Sequence, residues 1–548
     1  MEGTNHQPGL MQFDVVLRLL RFRAIAARMI DRRPALMSLL LGAGAALGFA
    51  PLNWWPVTLG CLAAWMALIW QTHSARAALW RGWLFGIAHF TAANIWIQTA
   101  FTYQEAMPAA LGYPAVVLLA GYLAAYPAIA AGAAWWLAVR QSTGFGRRAP
   151  DGSFVLVVAA SWIACEWLRA TLLTGYPWDP VAAVWLPLIG VARSAAWIGT
   201  YALSGLTMLV AGAFLLLTHR QWRLAAPVLA IVAVMTLSSV IVPQRRTAPD
   251  PAAPRLRVIQ PNLDQEQRPR DDYAEANLAA IEAQMGTPGA APRLIIWPEG
   301  ALRFFIEQGY PPEWYTRGQP DAVLARIAAR LGPADIVLTG GNGLQFDAQG
   351  KLATATNSVF AIDAGGRLLG RYDKAHLVPW GEYLPARPIM SALGLSRLVP
   401  GNTDFKPGPG PAALRLPGFG DIGFAICYEI IFSGHVVDRA HRPALIVNPS
   451  NDSWYGPSGP LQHLAMARLR AIEEGLPVVR ATPTGVSAII AADGTELATV
   501  GAATAGAIEL PLPPPGPPTL FARIGNLLAA IVAALLLVLA FAIRPRAR

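Results

Sequence analysis

Cysteine is the first thing this sequence lacks. Three thiols in 548 residues cannot build a disulfide framework or a thiolate-rich zinc site. Cys61 and Cys165 lie in strongly apolar stretches, which leaves Cys427 alone in the polar part of the chain. Lysine is nearly as scarce: Lys351, Lys374 and Lys406 are the only three among 43 basic residues. In a chain that uses arginine wherever charge alone is needed, a retained lysine can mark a place where a compact ammonium is required; simple retention on a surface is the competing reading. Charged residues make up only 14%, against roughly a quarter in a soluble chain, and 54% of residues are hydrophobic. No glycine-rich phosphate loop follows the first strand of the polar region. The eight histidines show no metal-ligand spacing, and basic and aromatic residues do not interleave. These absences argue against a nucleotide and a metal, and against nucleic acid as a partner. The net charge of +10 falls heavily at the ends of apolar segments, so it reads as membrane topology.

The hydrophobic excess is concentrated. A span needs about 20 mainly apolar residues. Eight segments qualify: 35–50, 55–71, 78–101, 112–139, 154–174, 194–218, 224–242 and 521–543. Arginines gather before the first of them (Arg18, Arg21, Arg23, Arg28, Arg32, Arg33), after the second (Arg76, Arg81), fourth (Arg140, Arg147, Arg148) and sixth (Arg220, Arg223), and after the last (Arg544, Arg546, Arg548). The alternate loops are almost free of them, apart from Arg193. Positive charge stays inside, so both termini are expected in the cytoplasm. The basic N-terminal stretch has no small-x-small cleavage site after a short apolar core, so no removed signal peptide is expected. The expected division is 1–243 with an N-terminal segment and seven spans, 244–520 as one aqueous domain outside the cytoplasm, and 521–548 with the last span and a tail. In a bacterium, outside means the periplasm, where a lone thiol is a liability unless it has work. Within the fifth span, Glu166 and Arg169 stand three residues apart and read as an ion pair near the interface.

In the aqueous region short apolar strands alternate with helical patterns, which predicts a layered α/β fold. Strands are expected over 255–262, 293–299, 334–341, 358–363, 420–427, 444–451 and 478–494. Helices are expected over 271–285, 320–331, 429–441 and 460–475. Three polar residues fall at strand ends: Glu299 in "LIIWPEG", Lys374 in "RYDKAHLVPWGEYLP" and Cys427 in "FAICYE". A thiol needs a base, and a carboxylate can serve. The oxyanion formed when a thiolate attacks a carbonyl needs a fixed cation. Singly, Glu299 could cap a helix, Lys374 could lie on the surface and Cys427 could fill the core. Together they make a complete acyl-transfer set.

"WPEGA", "YDKAHLVPWGEYLP", "CYE" and "NPSNDSWYGPSGPLQH" resemble the nitrilase superfamily with its Glu-Lys-Cys triad. With eight spans around them, the chain resembles the membrane-embedded apolipoprotein N-acyltransferase family from about residue 35 to 543. The resemblance implies an αββα sandwich carried by a polytopic helical membrane domain. It implies a ping-pong reaction with Glu299, Lys374 and Cys427 as catalytic residues and Glu382, Tyr428 and Glu429 in support. It implies a phospholipid acyl donor, such as phosphatidylethanolamine cleaved at sn-1, and a diacylated apolipoprotein as acceptor. No metal or other cofactor is implied. The chain departs from that pattern in lacking a Trp soon after Gln260-Pro261-Asn262, and in carrying Tyr455 where Phe is usual. The apolar loop 390–398 reads either as a lid dipping into lipid or as packing on the sandwich. A membrane-tethered amidase using water would share the triad, but eight spans exceed what tethering needs. A transporter would need more ionisable residues inside its spans than Glu166 and Arg169.

Overall fold

The structure is a computed structural model that describes residues 33–103, 107–140, 149–241, 253–263, 272–398 and 403–544. The basic segment before Arg33, Arg147 and Arg148, Arg546 and Arg548, and the stretch after Leu263 lie outside the described residues.

Apolar helices form where the hydropathy runs, and local signals start them. Pro34 opens Pro34–Ala45, and Pro56 sits in the first turn of Trp55–Trp70. Ser74 caps Ala75–Ala93, and Asp151 caps Gly152–Thr171 by accepting from Phe154 N at 3.0 Å. Among the described residues three helical runs are long and apolar enough to cross a membrane: Ala109–Val139, Gly152–Thr174 and Ala195–Thr218. Four more are apolar but shorter: Pro34–Gly48, Trp55–Trp70, Trp222–Ser238 and Leu527–Ala542. The expected span 78–101 is instead the helix Ala75–Ala93, which carries Arg76 and Arg81 and gives way at Asn94 to a 3-10 stretch, Ile95–Tyr103. Small residues let these helices close on one another; a Cβ at Gly82 would lie 2.6 Å from the Pro127 carbonyl oxygen. Trp65, Phe85, Phe154, Trp185 and Leu203 lie in the resulting core.

The polar region builds two six-stranded sheets. Its strands are β1 (Arg255–Gln260), β2 (Arg293–Ile296), β3 (Ile336–Phe346), β4 (Leu352–Asp363), β5 (Leu368–Asp373), β6 (Ala413–Leu416), β7 (Gly420–Phe424), β8 (Leu445–Pro449), β9 (Val478–Ala481), β10 (Ser487–Ile490), β11 (Glu496–Val500) and β12 (Gly506–Pro511). One sheet runs β12-β1-β2-β3-β4-β5 and the other β11-β10-β9-β8-β7-β6. The central pairs β1–β2–β3 and β7–β8–β9 are parallel, and the flanking pairs are antiparallel. Alternation sorts the side chains. Leu294, Ile296, Val359 and Ala361 face the second sheet's Ile422, Phe424, Ile446 and Val479 in one core. Ile295, Val337, Phe360 and Ile362 face the opposite way, against the helices Tyr273–Glu282 and Pro320–Ala328. The helix Gly459–Glu474 covers the second sheet with Met466, Ala467 and Ala471, while its Leu469 and Ile472 join the core of the apolar helices. One helix is thus shared between the sandwich and the apolar bundle.

In this polar region three further sequence expectations change. The helix expected over 429–441 is only a 3-10 turn, Cys427–Ile431; Gly434 at φ 76° turns the chain away, and Ser433 Oγ donates to Glu473 at 2.8 Å. The strand expected over 478–494 is a hairpin, β9 and β10, because Pro483 has no N–H for a continuous ladder. Strands β5, β6, β11 and β12 were not expected. Mostly intermediate in burial, they lack the continuous apolar runs of central strands.

Candidate active site

The thiol is placed by a short irregular link. After β7 the chain passes Ala425 and Ile426 and enters the turn Cys427–Ile431. Cys427 itself takes φ 48°, a left-handed conformation that a β-carbon disfavours. Glu429 holds the turn there. Its carboxylate accepts from Ile426 N (2.7 Å), Ala375 N (2.8 Å), His376 N (3.1 Å) and the Tyr372 hydroxyl (3.0 Å). This ties the thiol's turn to the loop after β5. Burial pushes the Glu429 carboxyl up to about 7, against the opposing pull of Lys374 and those N–H groups.

Lys374 is the first residue of that loop and is fully buried. Its Nζ lies 2.9 Å from Glu382 Oε2 and 3.5 Å from Glu299 Oε1. Asn357 on β4 donates from Nδ2 to both carboxylates at 2.7 Å and so fixes their spacing. Glu382 also accepts from Val378 N at 2.8 Å, and Arg397 donates to its backbone carbonyl at 3.0 Å. Burial works against the ammonium, but Glu382 and then Glu299 outweigh it and hold Lys374 above the ordinary lysine range. Glu299 follows β2 through Trp297 and Pro298. It sits close over β3, where a Cβ at Gly340 would lie 2.7 Å from the Glu299 Cα.

Cys427 is buried, and burial pushes its thiol up to about 12. The charge of Glu299 adds to this. Lys374, the Tyr455 hydroxyl and the Asn451 backbone N–H pull it down. The Tyr455 oxygen lies 3.1 Å from Cys427 Sγ. A carboxylate that can take a proton, an ammonium that can neutralise an oxyanion and a thiol within reach of both fields are therefore assembled in one buried place.

Tyr428 points the other way, and its hydroxyl donates to the carbonyl of Gly175 at 3.2 Å. The loop it meets is braced from within the bundle. Arg169 Nη1 donates to the carbonyls of Tyr176 and Trp178, each at 2.8 Å, and Glu166 accepts from Val181 N at 3.0 Å. Glu166 and Arg169 also pair at 3.7 Å, so the expected ion pair exists and spends its remaining valence on the loop. Trp178 Nε1 donates to Gln462 at 2.9 Å.

Sequence reading missed several partners. Asn357 gives no signal inside "TATNSVF". Tyr455 and His463 stand inside "NPSNDSWYGPSGPLQH", where nothing local marks them as partners of the thiol. His463 Nε2 is 3.0 Å from the Cys427 carbonyl oxygen, and its Nδ1 is 3.1 Å from Arg480 Nη2. Nδ1 also lies 3.3 Å from Asp452 Oδ1, so it meets a donor and an acceptor at once, while Nε2 meets a carbonyl that only accepts. Burial, then Arg480, pushes His463 down to about 4. Arg480 is fully buried and pairs with Asp452 at 2.5 Å. A charged residue inside the apolar run "VVRA" was the signal that could have exposed this cluster.

Two stacked sheets flanked by helices, with this site at the strand ends, define a nitrilase-like fold, and residues 255–513 match the carbon-nitrogen hydrolase family. Residues 41–213 match the apolipoprotein N-acyltransferase N-terminal domain. Apolipoprotein N-acyltransferase of Rhodopseudomonas palustris is 35% identical, over 92% of this chain and 94% of that protein. Its counterparts in Bradyrhizobium diazoefficiens (33%, 95% of this chain, 97% of that protein) and Caulobacter vibrioides (32%, 90% and 91%) are similar throughout. The chain belongs to the apolipoprotein N-acyltransferase family.

Proposed function

We propose that Cys427 carries a fatty acyl group from a phospholipid to the α-amine of the diacylglyceryl-cysteine of an apolipoprotein. The observation that carries this reading is the Lys374 ammonium, held between Glu382 and Glu299, acting on the buried Cys427 thiol. The names of the relatives support the acceptor. In the first half-reaction Glu299 takes the thiol proton and Sγ attacks the sn-1 ester carbonyl. Lys374 neutralises the oxyanion, assisted by the backbone N–H after Cys427. Glu299 returns the proton to the departing lysophospholipid oxygen, and a thioester remains. In the second half-reaction the amine attacks the thioester, the C–S bond breaks and Glu299 takes the amine's proton. Glu382 orients Lys374. Glu429 and Tyr428 hold the turn between the Lys374 loop and the bundle. The ester already carries the activation, so the reaction calls for no cofactor.

Both substrates are anchored in a bilayer. In this reading eight spans carry the chain across a bacterial inner membrane, with the termini in the cytoplasm. Residues 244–520 form the catalytic domain on the periplasmic side, tethered at both ends, and tethering raises the effective concentration of the thiol near lipid. Incubating the full chain with phosphatidylethanolamine and mapping peptides by mass spectrometry tests it. An acyl mass on the peptide containing Cys427, absent in Cys427→Ser, is expected. Absence of any adduct, with free fatty acid as the only product, would sink the reading.

A further inference from the structure

The nucleophile has a partner that the Glu-Lys-Cys set leaves unused. Tyr455 follows β8 through Asn451 and the short turn Asp452–Tyr455, and its hydroxyl oxygen lies 3.1 Å from Cys427 Sγ. A side chain placed only to fill this space would not need to bring a hydroxyl to the sulfur. The phenol ring is clamped on three sides. Its centroid lies 4.9 Å from the Trp96 ring, 5.3 Å from Trp178 and 5.3 Å from His463. Two of those rings come from segments that link the apolar helices and pack into the sandwich core, and Trp178 is itself fixed to Gln462 at 2.9 Å. The backbone nearby is equally tight: a Cβ on Gly459 would lie 2.4 Å from the Tyr455 Cβ. The hydroxyl is therefore held in place before any substrate arrives, as electrostatic preorganisation requires.

We propose that Tyr455 is a further catalytic residue, whose hydroxyl donates a hydrogen bond to the Cys427 sulfur whenever that sulfur carries negative charge. This rests on the reading of Cys427 as the nucleophile. A thiolate has no proton to give, so in that state Tyr455 is the donor. Burial holds the phenol well above its ordinary range, so it keeps the proton it shares. The need for such a donor is visible in the same site. Until it has taken a proton, Glu299 close by bears a charge that opposes ionisation of the thiol. Tyr455 and the Asn451 N–H act in the opposite sense.

The bond matters twice in the cycle. When Glu299 has taken the thiol proton, the Tyr455 hydroxyl stabilises the attacking thiolate. In the thioester the sulfur is neutral and a poor acceptor, so the bond weakens. When the amine has attacked, the C–S bond breaks with its electron pair going to sulfur, and the Tyr455 hydroxyl bonds to the departing thiolate while Glu299 takes the ammonium proton. Nothing is oxidised or reduced, and the phenol proton stays on tyrosine throughout. The same donor thus eases formation of the nucleophile and its expulsion as a leaving group.

Alkylation of Cys427 by iodoacetamide against pH, in the full-length protein carrying C61A and C165A, tests this without any acyl substrate. Tyr455→Phe removes one oxygen and keeps the ring. The expected result is a midpoint about one pH unit higher than in the parent, with alkylation at neutral pH about tenfold slower. A 3-fluorotyrosine at position 455, a stronger donor of the same shape, should move the midpoint down. Coincident midpoints for Tyr, Phe and 3-fluorotyrosine would overturn the proposal. If Tyr455→Phe does not fold, an unmoved midpoint with 3-fluorotyrosine alone overturns it. The proposed function fails separately: a shifted midpoint with no acyl adduct on Cys427 would remove acyl transfer and leave the Tyr455–Cys427 bond standing.

Discussion

The hydroxyl of Tyr428 donates to the carbonyl of Gly175 at 3.2 Å, joining residues 253 positions apart. Tyr428 is the neighbour of the thiol in sequence, and Gly175 begins the loop that Arg169 braces from the apolar bundle. Gly175 stands at φ 81°, and a Cβ there would lie 2.1 Å from the Ala170 carbonyl oxygen and 3.1 Å from Phe432. Only glycine fits. Gly175→Ala should displace the loop and lower acyl transfer at least tenfold, whereas Tyr428→Phe should cost about 1 kcal/mol of stability, one hydrogen bond. Activity in detergent and thermal unfolding measure the two. A fully active Gly175→Ala would show that the loop does not bear on the thiol.

Lys374 is buried between two carboxylates. Lys374→Arg should not rescue what Lys374→Met loses, because a planar fork cannot sit 2.9 Å from Glu382 and 3.5 Å from Glu299 in the space of an ammonium. Glu382→Gln should keep the shape but remove the stronger of the two attractions, with kcat falling by about one to two orders of magnitude. Single-turnover acylation of Cys427 reads both. Wild-type rates in Lys374→Arg would contradict the role given to the ammonium.

His463 stays neutral in the fold, pushed down to about 4, while an unfolded histidine titrates near 6.5. Between those values the unfolded chain binds the extra proton and the folded chain does not. This contribution to stability is therefore complete above about pH 6.5 and is lost as pH falls toward 4, amounting to about 3 kcal/mol. Glu429, raised to about 7, acts in the opposite sense, because its folded form holds a proton that the unfolded form releases above about pH 4.5. The difference between wild type and His463→Gln isolates the first effect. Chemical denaturation should show His463→Gln losing less stability than wild type on acidification from pH 6.5 to 4.5. Parallel pH profiles would exclude it.

The short helix Arg387–Ala392 and its exit expose Ile389 and Leu393, 61% and 67% accessible, while Arg397 and Leu398 anchor the segment to Glu382 and Trp380. Among the described residues, neither side chain is covered by the sandwich. An anchored apolar tip of this kind suits the bilayer surface. Ile389→Asp with Leu393→Asp should raise KM for phospholipid in vesicles several-fold and leave thermal unfolding unchanged. An unaltered KM would remove lipid contact as its role.

Much of this architecture is legible in the order of the residues. Hydropathy marked the apolar helices, because burying a run of apolar side chains needs no partner specified in advance. Continuous apolar runs marked the central strands. Glu299 and Cys427 were legible because each follows such a run, where a polar residue is costly without a reason, and Lys374 because lysine is so scarce in this chain. Edge strands β5, β6, β11 and β12 were not, since half-exposed strands lack that signature. Which polar groups meet is settled by the folding of distant segments onto one another. Asn357 sits 58 positions from Glu299, and Tyr455 sits 28 from Cys427; no local pattern encodes such contacts. The left-handed backbone at Cys427 was invisible for the same reason: it is imposed by the four donors that converge on Glu429, not by the preference of a cysteine. The sharing of one helix, Gly459–Glu474, between sheet and bundle is settled in the same way. A helix buried on opposite sides reads in sequence only as mixed polarity, and what faces each side is fixed by packing.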